Sequence, residues 1–218
     1  LAVRNHAELQ RVADKYNDLV ILQLLTQGTA QDDVRRVVTE TIREHLSPAA
    51  ILERPDPQVR ALQQLAPPPS EPLYWIDASS PRCTTEITIN NLHFHYDASA
   101  GQKTGAFLDQ RLNYAAAARY ARGRALDVCT YHGGFALHMA QHCQQVTGVD
   151  ASRSALETAD RNLELNPELK AQVKWIEADA FELLREYEAA GERYDTIVLD
   201  PPAFAKSKRA TEGALRGY

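Results

Sequence analysis

The sequence lacks several features that would place a protein in a definite class. It has only three cysteines, Cys83, Cys129 and Cys143, and they form neither a paired framework nor a Cys-x-x-Cys metal motif. It has no apolar run of about 18 residues, so we expect no transmembrane helix. Its first residues also lack the pattern of a secretory leader. These absences favour the cytoplasm over a secreted or membrane location.

An excess of basic charge is also lacking. The formal net charge of −5 argues against a surface that binds nucleic acid everywhere. A local basic patch can still contact phosphates. Lys206, Lys208 and Arg209 form such a patch, and we predict contacts to nucleic-acid phosphates there, with an ordinary solvated surface as the alternative.

The chain divides into two regions with different patterns. Residues 1–98 are predicted to form a small α+β domain, in which short strands and one amphipathic helix precede a proline-rich connector and a hairpin. Its predicted features are a strand at Leu19–Thr26, a helix behind Asp32 and Asp33, a strand around Ile51, the connector Ala66–Pro72, and a hairpin turning at Asn90-Asn91.

Residues 99–218 alternate between helix and strand, which predicts a parallel sheet in a Rossmann-like α/β domain. The predicted strands are Ala125–Thr130, Val146–Asp150, Val173–Glu177 and Asp195–Asp200, and the predicted helices are Arg111–Arg122, Phe135–Cys143, Ser152–Leu165 and Ala180–Ala190. Four strands are few for such a fold, and the chain starts at Leu1 without a methionine and stops at Tyr218. We therefore expect a fragment whose carboxyl-end strands are missing.

Acidic residues recur where the predicted strands end. Asp127 lies in the first strand, Asp150 ends the second, Asp179 follows the third and Asp200 ends the fourth. Each alone fits a solvated acid that caps the next helix. Together they fit a ligand site, because open α/β sheets bind ligands at the carboxyl ends of their strands.

Two loops at the same edge add to this interpretation. Gly133 and Gly134 precede Phe135 at the start of a predicted helix, where free backbone N–H groups face a ligand. Asp200 is followed by Pro201 and Pro202, which stiffen the loop after the fourth strand. An NAD-dependent oxidoreductase shares the glycines and the second acid, but the full Gly-x-Gly-x-x-Gly pattern is absent and the proline loop has no role there.

These motifs resemble class I S-adenosylmethionine-dependent methyltransferases. The segments GQKTGAFLDQR at Gly101–Arg111 and DPPAFAKSK at Asp200–Lys208 resemble the ribosomal RNA large subunit methyltransferase I family, which methylates carbon 5 of a cytosine in 23S ribosomal RNA. The resemblance covers Val12 to Tyr218, and the PUA domain with which the family usually begins is nearly all absent. Cys129 and His132 depart from the aromatic residue and threonine common in relatives.

The resemblance implies a role for each matching residue and S-adenosyl-L-methionine as the cofactor. Asp150 would hold the cofactor ribose, Asp179 the adenine, and Gly133 and Gly134 would lie along the methionine portion. The further cofactor contacts would be Asp127, Phe135, Ala180 and Asp200, and residues 1–98 would form an RNA-binding or central domain. Gln110 and Arg111 would lie near the cofactor carboxylate, and Asp200 and Pro202 would face the target base. The implied partner is 23S ribosomal RNA, with no membrane and with a homodimer left open.

Carbon 5 of cytosine is a poor nucleophile, so its methylation requires a cysteine thiolate that first adds to carbon 6. None of the three cysteines fits this role, and the resemblance places the nucleophilic cysteine beyond Tyr218. Guanine-N7 methylation of 23S ribosomal RNA needs no cysteine and is the main alternative. Amino-group methylation and a non-catalytic RNA-binding module are weaker ones. His93 and His95 have no third ligand at metal spacing, so no metal is expected.

Overall fold

The computed structural model describes residues 11–77, 79, 82–99 and 106–202. The predicted RNA contacts Lys206, Lys208 and Arg209 lie outside the described residues. The described chain forms two compact units. The first comprises the residues up to Ile89 and from Phe94 to Asp109, and the second comprises Asn90–His93 and the residues from Gln110 onward. The predicted boundary after residue 98 stays a prediction.

The elements of residues 11–97 are β1 Arg11–Tyr16, β2 Leu19–Leu24, α1 Asp32–Leu46, β3 Ala50–Glu53, α2 Pro57–Leu62, β4 Tyr74–Trp75, β5 Thr84–Ile89 and β6 Leu92–Asp97. The first unit has a four-stranded sheet in the order β1-β2-β3-β4, in which β2 and β3 are parallel and the outer pairs are antiparallel. Strands β5 and β6 form a separate hairpin, whose tip, Asn90–His93, is grouped with the second unit.

Most predicted elements of this unit are confirmed. The apolar run forms β2, whose Val20 and Leu22 pack with Ile51 beneath Val38 and Ile42 of α1. The hairpin turns through Asn90 and Asn91, both with left-handed backbone (φ 50° and 69°), which asparagine tolerates better than most residues.

Three elements were not predicted: β1, α2 and the two-residue strand β4 (Tyr74–Trp75), which follows the proline-rich connector. Strand β1 lies at the sheet edge and alternates half-buried and exposed positions, so it has no apolar run to reveal it. Helix α2 is short, but Asp56 accepts hydrogen bonds from the backbone N–H groups of Gln58 and Val59 (2.8 and 3.2 Å), and Pro57 begins the helix. An N-cap acid followed by proline is a recognisable start signal that the sequence already contained.

The elements that follow are α3 Arg111–Tyr120, β7 Arg124–Val128, α4 Gly134–Ala140, β8 Gln145–Asp150, α5 Arg153–Glu164, β9 Gln172–Glu177, α6 Ala180–Ala190 and β10 Thr196–Leu199. In the second unit the four strands form a parallel sheet in the order β10-β7-β8-β9. The predicted α/β alternation is confirmed, with ends that shift by a few residues. Because the strands are parallel, the carboxyl ends of all four lie at one edge of the sheet.

Two features are missing from the described residues. No helix there combines the length and the apolar character needed to cross a bilayer. Within the same residues, no three histidine, cysteine or acidic side chains are grouped so that they could hold a metal ion.

Candidate functional site

The structure brings the four predicted acids together at the carboxyl edge of the sheet. Asp127 lies in β7, Asp150 ends β8, and Asp179 and Asp200 follow β9 and β10. The Cys129 thiol lies among them. Its pKa is raised by burial and by the negative charges of all four acids. The edge is therefore strongly electronegative.

The loop after β7, residues 129–133, has an unusual backbone. Cys129, Tyr131 and Gly133 all have left-handed conformations, with φ of 64°, 51° and 81°. Each non-glycine residue in this region costs roughly 1–2 kcal/mol, so the loop needs external support. Part of that support is a hydrogen bond from the Thr130 N–H to the Val149 carbonyl of β8, at 2.9 Å.

Asp150 gives further support through both of its carboxylate oxygens. Oδ2 accepts from the Tyr131 N–H and Oδ1 accepts from the Ser152 N–H, both at 2.9 Å. The carboxylate is half-buried and held in one orientation. Each oxygen keeps a second lone pair, so the group can still accept hydrogen bonds from two hydroxyls.

Asp127 is almost fully buried, with 1% of its surface exposed. Its Oδ2 accepts from the Thr130 hydroxyl at 2.5 Å and from the Ala136 N–H at 2.9 Å. Among the described residues, Oδ1 has no hydrogen-bond partner. Burial raises the pKa of Asp127 to about 7, and its bonds to Thr130 and Ala136 offset only part of that rise. Asp127 therefore lies under the loop and joins it to α4.

Gly133 and Gly134 are each required to be glycine, but for different structural reasons. Gly133 precedes α4 with φ of 81°, a conformation that L side chains rarely adopt. At Gly134 a Cβ atom would lie 2.6 Å from Cζ of Tyr114. The ring of Tyr114 also packs edge-on against Phe135, with centroids 4.8 Å apart. Gly134 and Phe135 thus serve the packing of α4 against α3, whatever else they contact.

Asp179 takes the capping role that the sequence left open. Its Oδ1 accepts from the N–H groups of Phe181 and Glu182, at 2.9 and 3.1 Å, at the start of α6. No bond to Oδ2 exists among the described residues, and the carboxylate is exposed. Ala180 is the first residue of that helix. A capping role and a ligand role are compatible here, because one oxygen serves each.

Gln110 lies against Asp200, as its Nε2 donates to Asp200 Oδ2 at 3.1 Å. The orientation of its amide is set by Asn113, whose Nδ2 donates to Gln110 Oε1 at 2.6 Å. Arg111 starts α3 with an exposed side chain, and its carbonyl accepts from Asn90 Nδ2 at 2.8 Å. Pro202 is exposed near the end of the described chain.

None of the three thiols is activated. Burial raises the pKa of Cys83 and Cys143, as it does that of Cys129, and nearby acids raise each one further. A thiol with a raised pKa holds less thiolate at neutral pH and is a poorer nucleophile.

Three asparagines of this unit were missed by the sequence reasoning. Asn113 is described above. Asn162 lies on α5 and Asn166 follows the end of that helix, and both are fully buried. A signal for Asn162 existed, because it continues the helical spacing of the buried residues Ala155 and Ala159. A polar residue on the apolar face of a helix needs a hydrogen-bond partner inside the protein.

Comparisons with known proteins agree with this geometry. A family model described as S-adenosylmethionine-dependent methyltransferase matches residues 3–214. A protein of Methanocaldococcus jannaschii, named as a candidate ribosomal RNA large subunit methyltransferase, is 37% identical over 209 residues, which cover 95% of this chain and 52% of that protein. Ribosomal RNA large subunit methyltransferase I of Yersinia pseudotuberculosis is 36% identical over 208 residues, or 94% and 51% of the two chains.

Solved structures show the same fold. The crystal structure of a protein described as a candidate methyltransferase, complexed with S-adenosylhomocysteine, superposes with a TM-score of 0.72 at 22% identity, covering 90% of this chain and 49% of the other. A similar match exists to a protein of Streptococcus mutans, with a TM-score of 0.72 and 21% identity over 92% and 51% of the two chains. The chain spans about half the length of the curated relatives it matches.

Proposed function

Because this chain belongs to the S-adenosylmethionine-dependent methyltransferase family, we propose that it binds S-adenosylmethionine at the carboxyl edge of its second sheet and takes part in methylating ribosomal RNA. The observation that carries the proposal is the set of four acids around the loop of residues 129–133. When bound, the cofactor supplies a methyl group on a positively charged sulfonium.

The residues present fit this group. The Asp150 carboxylate is fixed by two backbone N–H groups and keeps a free lone pair on each oxygen, which suits a ribose diol. Asp179 keeps an exposed oxygen for an amino group such as that of adenine. Gly133, Gly134, Ala180 and Arg111 stay proposed contacts on the grounds of the resemblance.

The charge at the site favours this cofactor over a dinucleotide. All the charges that act on Cys129 are negative, from Asp150, Asp127, Asp200 and Asp179. Such a site attracts a sulfonium and an ammonium group, but it repels a pyrophosphate. An NAD-dependent oxidoreductase is therefore the poorer interpretation of the same strand ends.

For the target we propose carbon 5 of a cytosine in 23S ribosomal RNA, with Asp200 and Pro202 facing the base. The support is the similarity to ribosomal RNA large subunit methyltransferase I, over about half of that protein. A thiolate would add to carbon 6 of the base, carbon 5 would gain the methyl and lose its proton, and the thiolate would leave. This chemistry requires a nucleophilic cysteine other than Cys83, Cys129 and Cys143, which the resemblance places beyond Tyr218.

Guanine N7 is the second candidate, because that nitrogen already has a lone pair and needs no thiolate. It is favoured by one observation, the raised pKa of all three thiols in this chain. The two candidates differ in one covalent step. RNA that contains 5-fluorocytosine should trap an adduct with the protein only if carbon 5 is the target. An adduct on one of the three cysteines above would contradict the assignment of the nucleophile.

The cofactor proposal is tested by titration calorimetry with S-adenosylhomocysteine. Asp150→Ala removes a charged acceptor worth about 1.5–3 kcal/mol per hydrogen bond, so affinity should fall roughly tenfold or more. Glu157→Gln is the matched control, because it removes an exposed acid of α5 that pairs with Arg153. Equal affinity in both variants would reject the ribose assignment, and binding of NAD instead would reject the class.

The proposed RNA contacts have a separate test. If Lys206, Lys208 and Arg209 contact phosphates, neutralising all three should reduce the salt dependence of RNA binding by about 0.7 log units per lost contact. The affinity for S-adenosylhomocysteine should not change. An unchanged salt slope would return these three side chains to the solvated surface.

A further inference from the structure

A buried amide supports the strained loop from outside the set of acids. Asn162 of α5 is fully buried, and its Nδ2 donates to the His132 carbonyl at 2.9 Å. Around that carbonyl, Tyr131 and Gly133 both have left-handed backbone. The side chain of Asn162 thus reaches from the helix after β8 to the middle of the loop after β7.

The bond from Asn162 is placed where it controls the loop. The His132 carbonyl and the Gly133 N–H belong to one peptide group. That N–H donates to the Thr130 carbonyl at 2.9 Å, so the peptide is held at both ends. Without Asn162, the carbonyl loses a buried partner and the peptide can rotate. Rotation would disturb Tyr131, whose N–H holds the Asp150 carboxylate.

We propose that Asn162 is a positioning residue that keeps the loop of residues 129–133 in the conformation that binds the cofactor. This inference rests on the proposed function for its ligand. Asn162 itself would contact neither cofactor nor RNA, and it would act only through the His132 carbonyl. The loop should therefore be preformed in the free protein.

The segment directly after α5 offers a matched control. Asn166 lies just past the end of that helix at Glu164 and is 1% exposed. Its Oδ1 accepts from the His93 N–H, and its Nδ2 donates to the carbonyls of His93 and Asn162 (2.8, 2.8 and 2.7 Å). It is likewise a buried amide, but its three bonds go to the backbone of His93 and Asn162, and none of them reaches the loop.

The test compares Asn162→Ala with Asn166→Ala in the free and the ligand-bound protein. Both variants lose a buried amide, so both should unfold at lower urea concentration than the wild type. Calorimetry with S-adenosylhomocysteine, at a temperature where both are folded, should show about tenfold weaker binding for Asn162→Ala and wild-type binding for Asn166→Ala. Hydrogen exchange in the free protein should become faster at the amides of Tyr131 and Gly133 only in Asn162→Ala.

Equal affinities in the two variants, with equal exchange at Tyr131 and Gly133, would overturn the proposal. If Asn162→Ala does not fold, Asn162→Thr removes the amide with less lost volume and is measured in the same way. If the wild type binds no S-adenosylhomocysteine, the proposed function has failed. The exchange experiment then still decides whether Asn162 holds the loop.

Discussion

Glu53 in the first unit and Asp127 in the second are both buried acids, yet their surroundings differ. The carboxylate of Glu53 accepts from Arg35 Nε at 2.6 Å and from Arg60 Nη1 at 3.0 Å, and its side chain is fully buried. Glu53 in turn raises the pKa of Arg35 above its ordinary value. Asp127 has no cation partner among the described residues, and its Oδ1 has no partner there.

The difference separates a structural acid, Glu53, from an acid at the proposed cofactor site, Asp127. Glu53 joins the end of β3 to α1 and α2, and its charge is compensated inside the unit. Asp127 lies beneath the strained loop, where desolvation favours its neutral form. A fold built for stability alone would not keep an uncompensated acid there. We infer that Asp127 serves the loop that it holds, at a cost in stability that grows as the pH rises from 3.8 to about 7.

The largest loss of stability is expected when the buried ion pairs of Glu53 are broken. Glu53→Gln keeps the shape of the side chain but leaves Arg35 and Arg60 without their buried counter-charge, which should cost about 3–5 kcal/mol of unfolding free energy. Urea denaturation measures it. The control is Glu40→Gln, which breaks an exposed pair with Arg36 (3.8 Å) and should cost less than about 0.5 kcal/mol. Similar losses in the two variants would contradict the distinction.

Replacing Asp127, the unpaired acid, should instead raise the free energy of unfolding. The folded-state pKa of Asp127 is about 7, above the ordinary 3.8. Between these values the folded protein binds a proton that the unfolded chain does not, so this group lowers stability as the pH rises. Asp127→Asn removes that dependence. Allowing for a poorly paired buried amide, the variant should be more stable than the wild type by roughly 2–3 kcal/mol at pH 8.

The measurement for Asp127 is urea denaturation of both proteins at pH 5 and pH 8. The advantage of Asp127→Asn should be present at pH 8 and absent at pH 5. Parallel pH profiles for the two proteins would show that Asp127 does not titrate in this range.

The neighbouring His132 should change the pH dependence of stability in the direction opposite to that of Asp127. Burial lowers the pKa of His132 to about 4, from the ordinary 6.5. Between these values the unfolded chain binds the extra proton, so stability is lost as the pH falls. His132→Phe keeps a ring for the stack on Tyr131 (centroids 3.6 Å apart) and cannot titrate. It should remove a penalty of about 2 kcal/mol at pH 5 and none at pH 8.

The result for His132 would sharpen the comparison between the two units. In the wild type, Asp127 and His132 have opposite slopes between about pH 4 and 6.5 and offset each other. His132→Phe should therefore expose the falling slope of Asp127. A variant whose stability curve keeps the wild-type shape would contradict the pKa of His132.

Sequence patterns predicted the features that depend on local signals. The alternation of helix and strand predicted the parallel sheet, and strand topology then required Asp127, Asp150, Asp179 and Asp200 to share an edge. Long-range partners had no such signal. The pairing of Glu53 with Arg35 and Arg60, and the bond from Asn162 to His132, depend on tertiary packing between elements distant in sequence. The lack of a partner for Asp127 Oδ1 could be seen only in the folded chain.

Asp200 is a third acid to compare with Glu53 and Asp127. Loss of its hydrogen bond to Gln110 should have the smallest effect, a small fall in cofactor affinity. Asp200 is exposed, and its Oδ2 accepts from the Gln110 amide at 3.1 Å. Water can replace that donor, so Gln110→Leu should lose only about 0.5–1 kcal/mol of affinity for S-adenosylhomocysteine, a fall of two- to fivefold. Asn113→Ala frees the Gln110 amide to turn and should have a smaller effect in the same direction. Calorimetry separates the two, and a loss larger than that of Asp150→Ala would mean that Gln110, rather than the ribose acid, is the main anchor of the cofactor.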